Sequence, residues 1–292
     1  GVTMDGFYVV QSRGRGLAIS GTSSAWISNV YVSNVTVTDI ANRSIHCEYC
    51  DNVTVSRFTV RRGADFLQRS RASTDVNWPV IVNALHCGRV IFEYFDIRES
   101  WGEGIAAGRG SNGVIIRHGL SATNFVGIYV QRAQNALIEN CVTFMTQDTF
   151  YKRVPGAVGI GFNNEAFGNY NDTSGVTVRD CVAVNCGYNL GVFNQQSGGT
   201  YADITIDNVI LVEAIRDTDS TGLWLNASVT ERFDITNVTI QQAAGNVTLG
   251  STSPYRTVEY TEVVGVYEDD LSTFTGTVSD IQQLYGLTDT DG

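Results

Sequence analysis

The sequence predicts an all-β solenoid: short parallel strands wound into about eight to ten three-strand coils with inserted loops. Three observations predict it: a recurring four-position apolar pattern, a short glycine-led strand before most copies, and a minimum spacing equal to one coil. The pattern places apolar residues at i, i+2, i+5 and i+7. It reads Val30, Val32, Val35, Val37; Val53, Val55, Phe58, Val60; Val90, Phe92, Phe95, Ile97; and Val114, Ile116, Gly119, Ser121. It continues as Ala136, Ile138, Cys141, Thr143; Val176, Val178, Cys181, Ala183; Ile204, Ile206, Val209, Leu211; and Phe233, Ile235, Val238, Ile240. Only Gly119, Ser121 and Thr143 depart from apolar character. Period two within each pair means strand, and the three-residue step means a tight bend between two strands. The third strand begins at Gly104-Ile105, Gly127-Ile128, Gly159-Ile160, Gly191-Val192 and Gly222-Leu223. Successive copies are 23, 37, 24, 22, 40, 28 and 29 residues apart, so the shortest spacings are bare coils and the longer ones carry loops.

On these residues, and on segments such as Asn52–Val60 and Asp234–Gln242, the chain resembles the right-handed parallel β-helix proteins of the pectate-lyase-like superfamily from about Gly16 to Gln242. No coil buries its apolar face alone. Stacking at the ~4.8 Å strand spacing turns each inward position into a ladder of like residues and gives a rod about 40 Å long. Residues 1–15 are expected to cap the N-terminal end, 16–242 to form the β-helix, and 243–292 to form acidic coils or a tail leading to a further domain.

Composition excludes several functions. The formal charge is −11, without the basic footprint that nucleic acid or an anionic membrane surface requires. No apolar run approaches the ~20 residues of a membrane span, so membrane insertion is not expected. Residues 257–292 carry eight acids and no base, leaving the rest of the chain near neutrality at −3. The chain starts at Gly1 without Met and reads as a processed segment. Asp289-Thr-Asp291-Gly292 resembles the opening of a calcium loop, the one sign of a Ca2+ cofactor, and suggests a calcium-dependent surface module as one further reading.

Alignment of the coils sorts the cysteines. Cys141 and Cys181 take the same inward position and should stack as buried thiols. Cys50 and Cys87 align one rung apart, within reach of a disulfide, and are the candidate bridge. His46, Cys47, Cys50, His86 and Cys87 have the residue types of a zinc site, but alternation sends His46 and Cys47 to opposite faces. Outside the core, Ile91, Ile115 and Leu137 form one apolar column and Val142, Val182 and Ile210 another. Such a strip calls for a cover: the tail, a loop or a second chain.

The glycine-led strands offer the candidate binding face. With Ile128, Ile160, Val192 and Leu223 inward, Tyr129, Gly161, Phe193 and Trp224 point out, followed by the amides Gln131, Asn163, Gln195 and Asn226. Sugar rings stack on aromatic faces and amides pair with hydroxyls, so these columns suit a polysaccharide. Insertions 61–79, 145–158 and 164–175 reach the same face. The resemblance implies two chemistries. Elimination would use Lys152 and Arg153, with Asp148 and Tyr151 on the same loop and Arg132 and Arg109 nearby; Lys152 is the chain's sole lysine. Hydrolysis would pair Glu165 with Asp148 or Glu103. The pectin-hydrolase motifs Asn-x-Asp, Asp-Asp and Gly-His-Gly, and the epimerase motif Asp-Pro-His, do not occur as sets. Asn-x-Ser/Thr sequons, among them Asn34, Asn52 and Asn237, read as turn-then-strand grammar before glycan acceptors. The expectation is an extracellular or cell-surface protein that binds and cleaves polysaccharide, as lyase or glycoside hydrolase. The rival is an adhesin, spike or filament subunit, a homo-oligomer assembled through Ile91, Ile115 and Leu137.

Overall fold

In the computed structural model, the described residues are 1–64, 79–145, 157–165, 170–193, 199–212, 221–226, 228–229, 231–242, 247–249 and 254–264. The chain is all-β, and every pair of strands runs parallel. One wall is built by β2 (Leu17–Ser20), β4 (Ile45–Glu48), β6 (Val80–Leu85), the ends of β7 (Val90–Ala107) and β8 (Ile115–Gln131), β10 (Val158–Asn163), β12 (Tyr188–Phe193), β14 (Thr221–Leu225) and β17 (Val247–Leu249). The other two walls share bent strands: β1 (Val2–Val10), β3 (Ile27–Thr38), β5 (Cys50–Arg61), the first parts of β7 and β8, β9 (Leu137–Phe144), β11 (Ser174–Val184), β13 (Thr200–Val212), β16 (Phe233–Gln242) and β18 (Arg256–Val264). A short β15 (Ser228–Val229) pairs with β13.

The bend has one cause in each of the eight copies of the pattern. The residue at i+4 takes a left-handed backbone conformation: Asn34, Arg57, Tyr94, His118, Asn140, Asp180, Asn208 and Asn237, with φ between 50° and 54°. One such residue costs a non-glycine side chain about 1–2 kcal/mol. The four inward side chains that the bend delivers to the axis each contribute about 1.5–3 kcal/mol on burial, which decides the balance. At three successive corners the side chains form a ladder. The Arg57 guanidinium lies 5.6 Å from the Tyr94 ring, which stacks on His118 at 5.1 Å.

The N-terminal residues, expected as a cap, contain a further copy of the pattern: Val2, Met4, Phe7 and Val9, with Gly6 at the left-handed corner (φ 67°). β1 pairs with β3 in register, Val2 beside Val30 and Phe7 beside Val35. At the other end, β17 and β18 continue the walls.

The exceptions to the apolar pattern are complementary fits. A Cβ on Gly119 would stand 2.1 Å from the Phe95 ring, which fills that space from the rung before. Ser121 donates to the Gly127 carbonyl (2.7 Å) and accepts from Asn124 Nδ2 (2.8 Å); Asn124 Oδ1 in turn accepts from the Ser100 amide (2.9 Å). Thr143 packs where Gly127 and Gly159 lack side chains. All three are therefore core residues, cut to the shape of a neighbour.

Cys141 and Cys181 are buried free thiols on adjacent strands, as expected. Cys50 and Cys87 lie with their sulfurs 3.4 Å apart, so the alignment holds; both are free thiols here, and the expected bridge is replaced by van der Waals and weak S–H contact. Contact with Cys47 and then burial push the Cys50 thiol far above the ordinary range, and contact with Cys50 and then burial do the same to Cys87. His46 faces outward and Cys47 into the core, so the zinc-like cluster is split, and among the described residues no group of three or more ligating side chains converges. The outward column Val142, Val182 and Ile210 is buried and belongs to a second apolar cluster with Leu120, Ala122, Phe144, Val184 and Val212. Ile91, Ile115 and Leu137 are half-buried. The tail from residue 265 onward, including the calcium-like segment, lies outside the described residues.

Gly119→Ala is expected to lower stability by about 2 kcal/mol, because Phe95 cannot leave without opening the axis. A urea midpoint equal to that of the wild type would contradict this fit.

Candidate functional site

The outward face of the first wall collects the polar and aromatic groups. Strand alternation puts His46, Asn83, Ala106, Tyr129, Gly161, Gly191 and Trp224 in one column. This differs from the sequence expectation at β12. Leu190, not Val192, is level with Ile160, and Phe193 stands beside Asn163 rather than in the column of Tyr129. A slip of two residues keeps every side chain on its face, so the apolar pattern does not resist it.

Burial corrects the expectation more deeply. Tyr129, Gln131 and Asn163 are 5, 7 and 5% exposed, so this part of the proposed open groove is a closed floor. Tyr129 belongs to an apolar cluster with Val80, Ala106, Val126 and Val158, against which Phe125, Tyr188 and Phe193 pack. Phe193 folds over Gly191, where a Cβ would come within 2.5 Å of its ring. Tyr188 makes edge contacts with Phe193 (5.5 Å) and Trp224 (5.4 Å). Phe193 and Trp224 remain half-buried and Asn226 exposed. The indole N–H of Trp224 is buried with no hydrogen-bond partner among the described residues. Lys152, Arg153, Asp148 and Gln195 lie outside the described residues.

Two of the predicted catalytic residues meet at this floor. Tyr129 donates its phenol proton to Glu165 Oε1 at 2.6 Å. Burial, then the charges of Glu165 and Glu103, push this phenol well above the ordinary tyrosine range, so it stays a neutral donor. Arg132, 3% exposed, donates to the Glu165 carbonyl (3.2 Å), approaches Asp172 (3.7 Å) and lies 5.8 Å from the Tyr170 ring. The segment that carries these groups is pinned locally. Asn164 accepts from the amide and hydroxyl of Thr173 and donates to the Thr200 carbonyl (2.7 Å); Asp172 accepts from the amide and hydroxyl of Thr200.

Tyr170 links this floor to a second cluster, which holds His46 and His86 of the zinc-like set. Its hydroxyl is 3.3 Å from His86 Nε2, and Arg109 lies 6.0 Å from its ring. His86 stacks on Tyr49 at 4.8 Å. On β4, the fully buried His46 contacts Asn83 Oδ1 (3.0 Å), Glu48 Oε2 (3.1 Å) and Arg43 (3.4 Å). Burial, partly opposed by the bond to Glu48, lowers the His46 pKa; burial also lowers that of His86. The available signal was the alternation Ile45, His46, Cys47, Glu48, which marks His46 and Glu48 as outward. Glu48 stands outside the predicted binding face because this strand lacks a leading glycine. A belt of histidine, tyrosine, arginine and carboxylate groups thus runs along the wall, able to exchange protons and to hold anionic or hydroxyl groups.

No family model matches the chain, and no curated protein matches its sequence. Among solved structures the chain is similar to the A-module of Azotobacter vinelandii mannuronan C-5 epimerase AlgE4, with 12% identity, TM-score 0.51, and coverage of 88% of this chain and 78% of that one. It is similar to the polygalacturonase of Erwinia carotovora ssp. carotovora (14%, 0.54, 85% and 60%) and to the Streptococcus pneumoniae surface protein and adhesin PfbA (12%, 0.58, 86% and 66%). The chain therefore spans less than two thirds of the last two. At these identities the likeness establishes the fold.

Because the folded pKa of His46 lies below the ordinary value of 6.5, the unfolded chain takes up this proton first as pH falls. The stability His46 contributes is complete above about pH 6.5 and is lost as pH drops below it. Urea unfolding across that range should show a falling midpoint in the wild type and a shallower fall in His46→Gln; equal slopes would contradict the assignment.

Proposed function

We propose that this chain, whose fold is the right-handed parallel β-helix of the pectate-lyase-like superfamily, is an exported or cell-surface protein that binds polysaccharide along the first wall and hydrolyses it there. The observation that carries the reading is the buried Tyr129 phenol, bonded to the Glu165 carboxylate and within the field of Glu103. Glycoside hydrolysis needs two carboxyl groups that differ in protonation. Glu165, fixed as an acceptor by Tyr129, serves as base, and Glu103 serves as its partner. Arg132 is a positioning residue that holds the segment bearing Glu165. Phe193, Trp224 and Asn226, half-buried or exposed at the edge of the floor, supply a stacking surface for sugar rings, and the indole N–H of Trp224, without a partner among the described residues, supports a ligand hydroxyl there.

A second reading, a non-catalytic adhesin, is favoured by the burial of Gln131 and Asn163, which leaves few amides open to sugar. Fold alone does not choose, since the similar structures include an epimerase, a polygalacturonase and an adhesin.

A panel of acidic and neutral glycans, followed by reducing-end and ultraviolet assays, separates the readings. Hydrolysis yields new reducing ends without ultraviolet absorbance. Glu165→Gln should lower the rate by about 10²-fold and Tyr129→Phe by roughly tenfold, with binding retained. Unsaturated, absorbing products would move the chemistry to elimination and to Lys152 and Arg153. Binding without products from any glycan would establish the adhesin reading.

A further inference from the structure

We propose that Cys50 and Cys87 close a disulfide while the chain folds, by exchange with a small-molecule disulfide, and that the finished coil keeps whichever redox state it closed in. The inference is independent of the polysaccharide reading. The structure holds the reduced form, with the two sulfurs 3.4 Å apart. A bond needs about 2.05 Å, so side-chain rotation must bring them together by about 1.35 Å.

The backbone already sets the two corners one on the other. Tyr49 and His86, both left-handed (φ 50° and 53°), stack their rings at 4.8 Å on adjacent coils. Cys50 and Cys87 follow them and join the central core, 0 and 1% exposed. The Tyr49 amide donates to the Leu85 carbonyl (3.3 Å), the Gly88 amide to the Cys50 carbonyl (2.9 Å) and the Arg89 amide to Asp51 Oδ1 (2.8 Å). These bonds fix the cysteines one rung apart, about 4.8 Å, within the ~4.4–6.8 Å that a disulfide spans. The Cys87 S–H donates to the Leu85 carbonyl (3.3 Å); bridging gives up that bond, but the carbonyl keeps the Tyr49 amide. Cys47 also touches Cys50 and is the rival partner. It stands before the corner, level with Ile19 and Ala84, whereas Cys87 is level with Cys50 itself.

Burial decides when the bond can form. Exchange begins with a thiolate, and both thiols titrate far above the ordinary range once folded. In the unfinished chain they are exposed, ordinary thiols. There the Cys50 thiolate, its proton released to water, attacks one sulfur of the small disulfide and expels a thiolate. The Cys87 thiolate then attacks the Cys50 sulfur and expels the second. Two cysteine thiols are oxidised, one small disulfide is reduced, and its two thiolates take up the two protons. The bridge joins residues 37 apart, a coil with its insertion 61–79, and so removes much freedom from the unfolded chain.

Cell-free synthesis of the whole chain with oxidised or with reduced glutathione tests this. The oxidised product should lose two of the chain's six thiols and yield a Cys50–Cys87 peptide pair on digestion. It should melt roughly 5–10 °C above the reduced product. Cys50→Ala and Cys87→Ala should each abolish the pair, and Cys47→Ala should keep it. Diamide added to the folded reduced product should leave every thiol free, and dithiothreitol added to the folded oxidised product should leave the pair intact. A full set of thiols in the oxidised product, a Cys47–Cys50 pair, equal melting, or ready bridging of the folded reduced form would each overturn the proposal.

Discussion

The left-handed residue at i+4 of each coil is the constraint on which the molecule depends. It turns one extended segment into two walls and brings four apolar side chains to the axis, and its recurrence keeps these segments in register from β1 to β16. Arg57, Tyr94 and His118 hold this conformation although their side chains disfavour it, because the burial they secure outweighs the local strain. Their stacking on one another recovers part of the cost. The same regularity explains why the exceptions are informative. Gly119 is small because Phe95 is large, and Thr143 fits because Gly127 and Gly159 give way.

Once the interior is specified, the outer faces are free to differ. The first wall carries the belt of titratable groups from His46 to Glu165. One of the other walls carries a charge ladder in which Glu93, Arg117, Glu139 and Arg179 alternate across rungs. In that ladder each arginine is answered by a carboxylate on the adjacent strand, an arrangement that holds register more than it adds stability. The belt has another character. Its members are buried or half-buried, and its carboxylates pair with the Tyr129 phenol, with His46 and with the amide and hydroxyl of Thr200. Low polarity there shifts Tyr129 upward and His46 and His86 downward, the condition under which proton transfer groups become useful.

How far the site could be read from the chain depended on the kind of fact involved. Face and alternation were legible: Tyr129, Trp224 and Arg132 lie on or beside the wall expected for them, and Cys141 stacks on Cys181. Register within a face was not, since moving β12 by two residues leaves its hydrophobic pattern intact. Exposure was not legible either. Tyr129, Gln131 and Asn163 do point away from the axis, but Val126, Val158 and Phe125 pack around the floor from positions the coil grammar does not mark. The coil at Val2 to Val9 obeys the grammar, although the need to cover a parallel edge points to a cap over residues 1–15.

By itself the sequence determined the solenoid, its coil boundaries and the inward ladders, because these follow from local periodicity and from one bend repeated at a constant interval. Only the tertiary structure decided which outward groups meet, which are covered and how β12 is registered. Those outcomes depend on contacts between rungs and on segments distant in the chain, such as Tyr170 against His86, which no spacing within a single coil encodes.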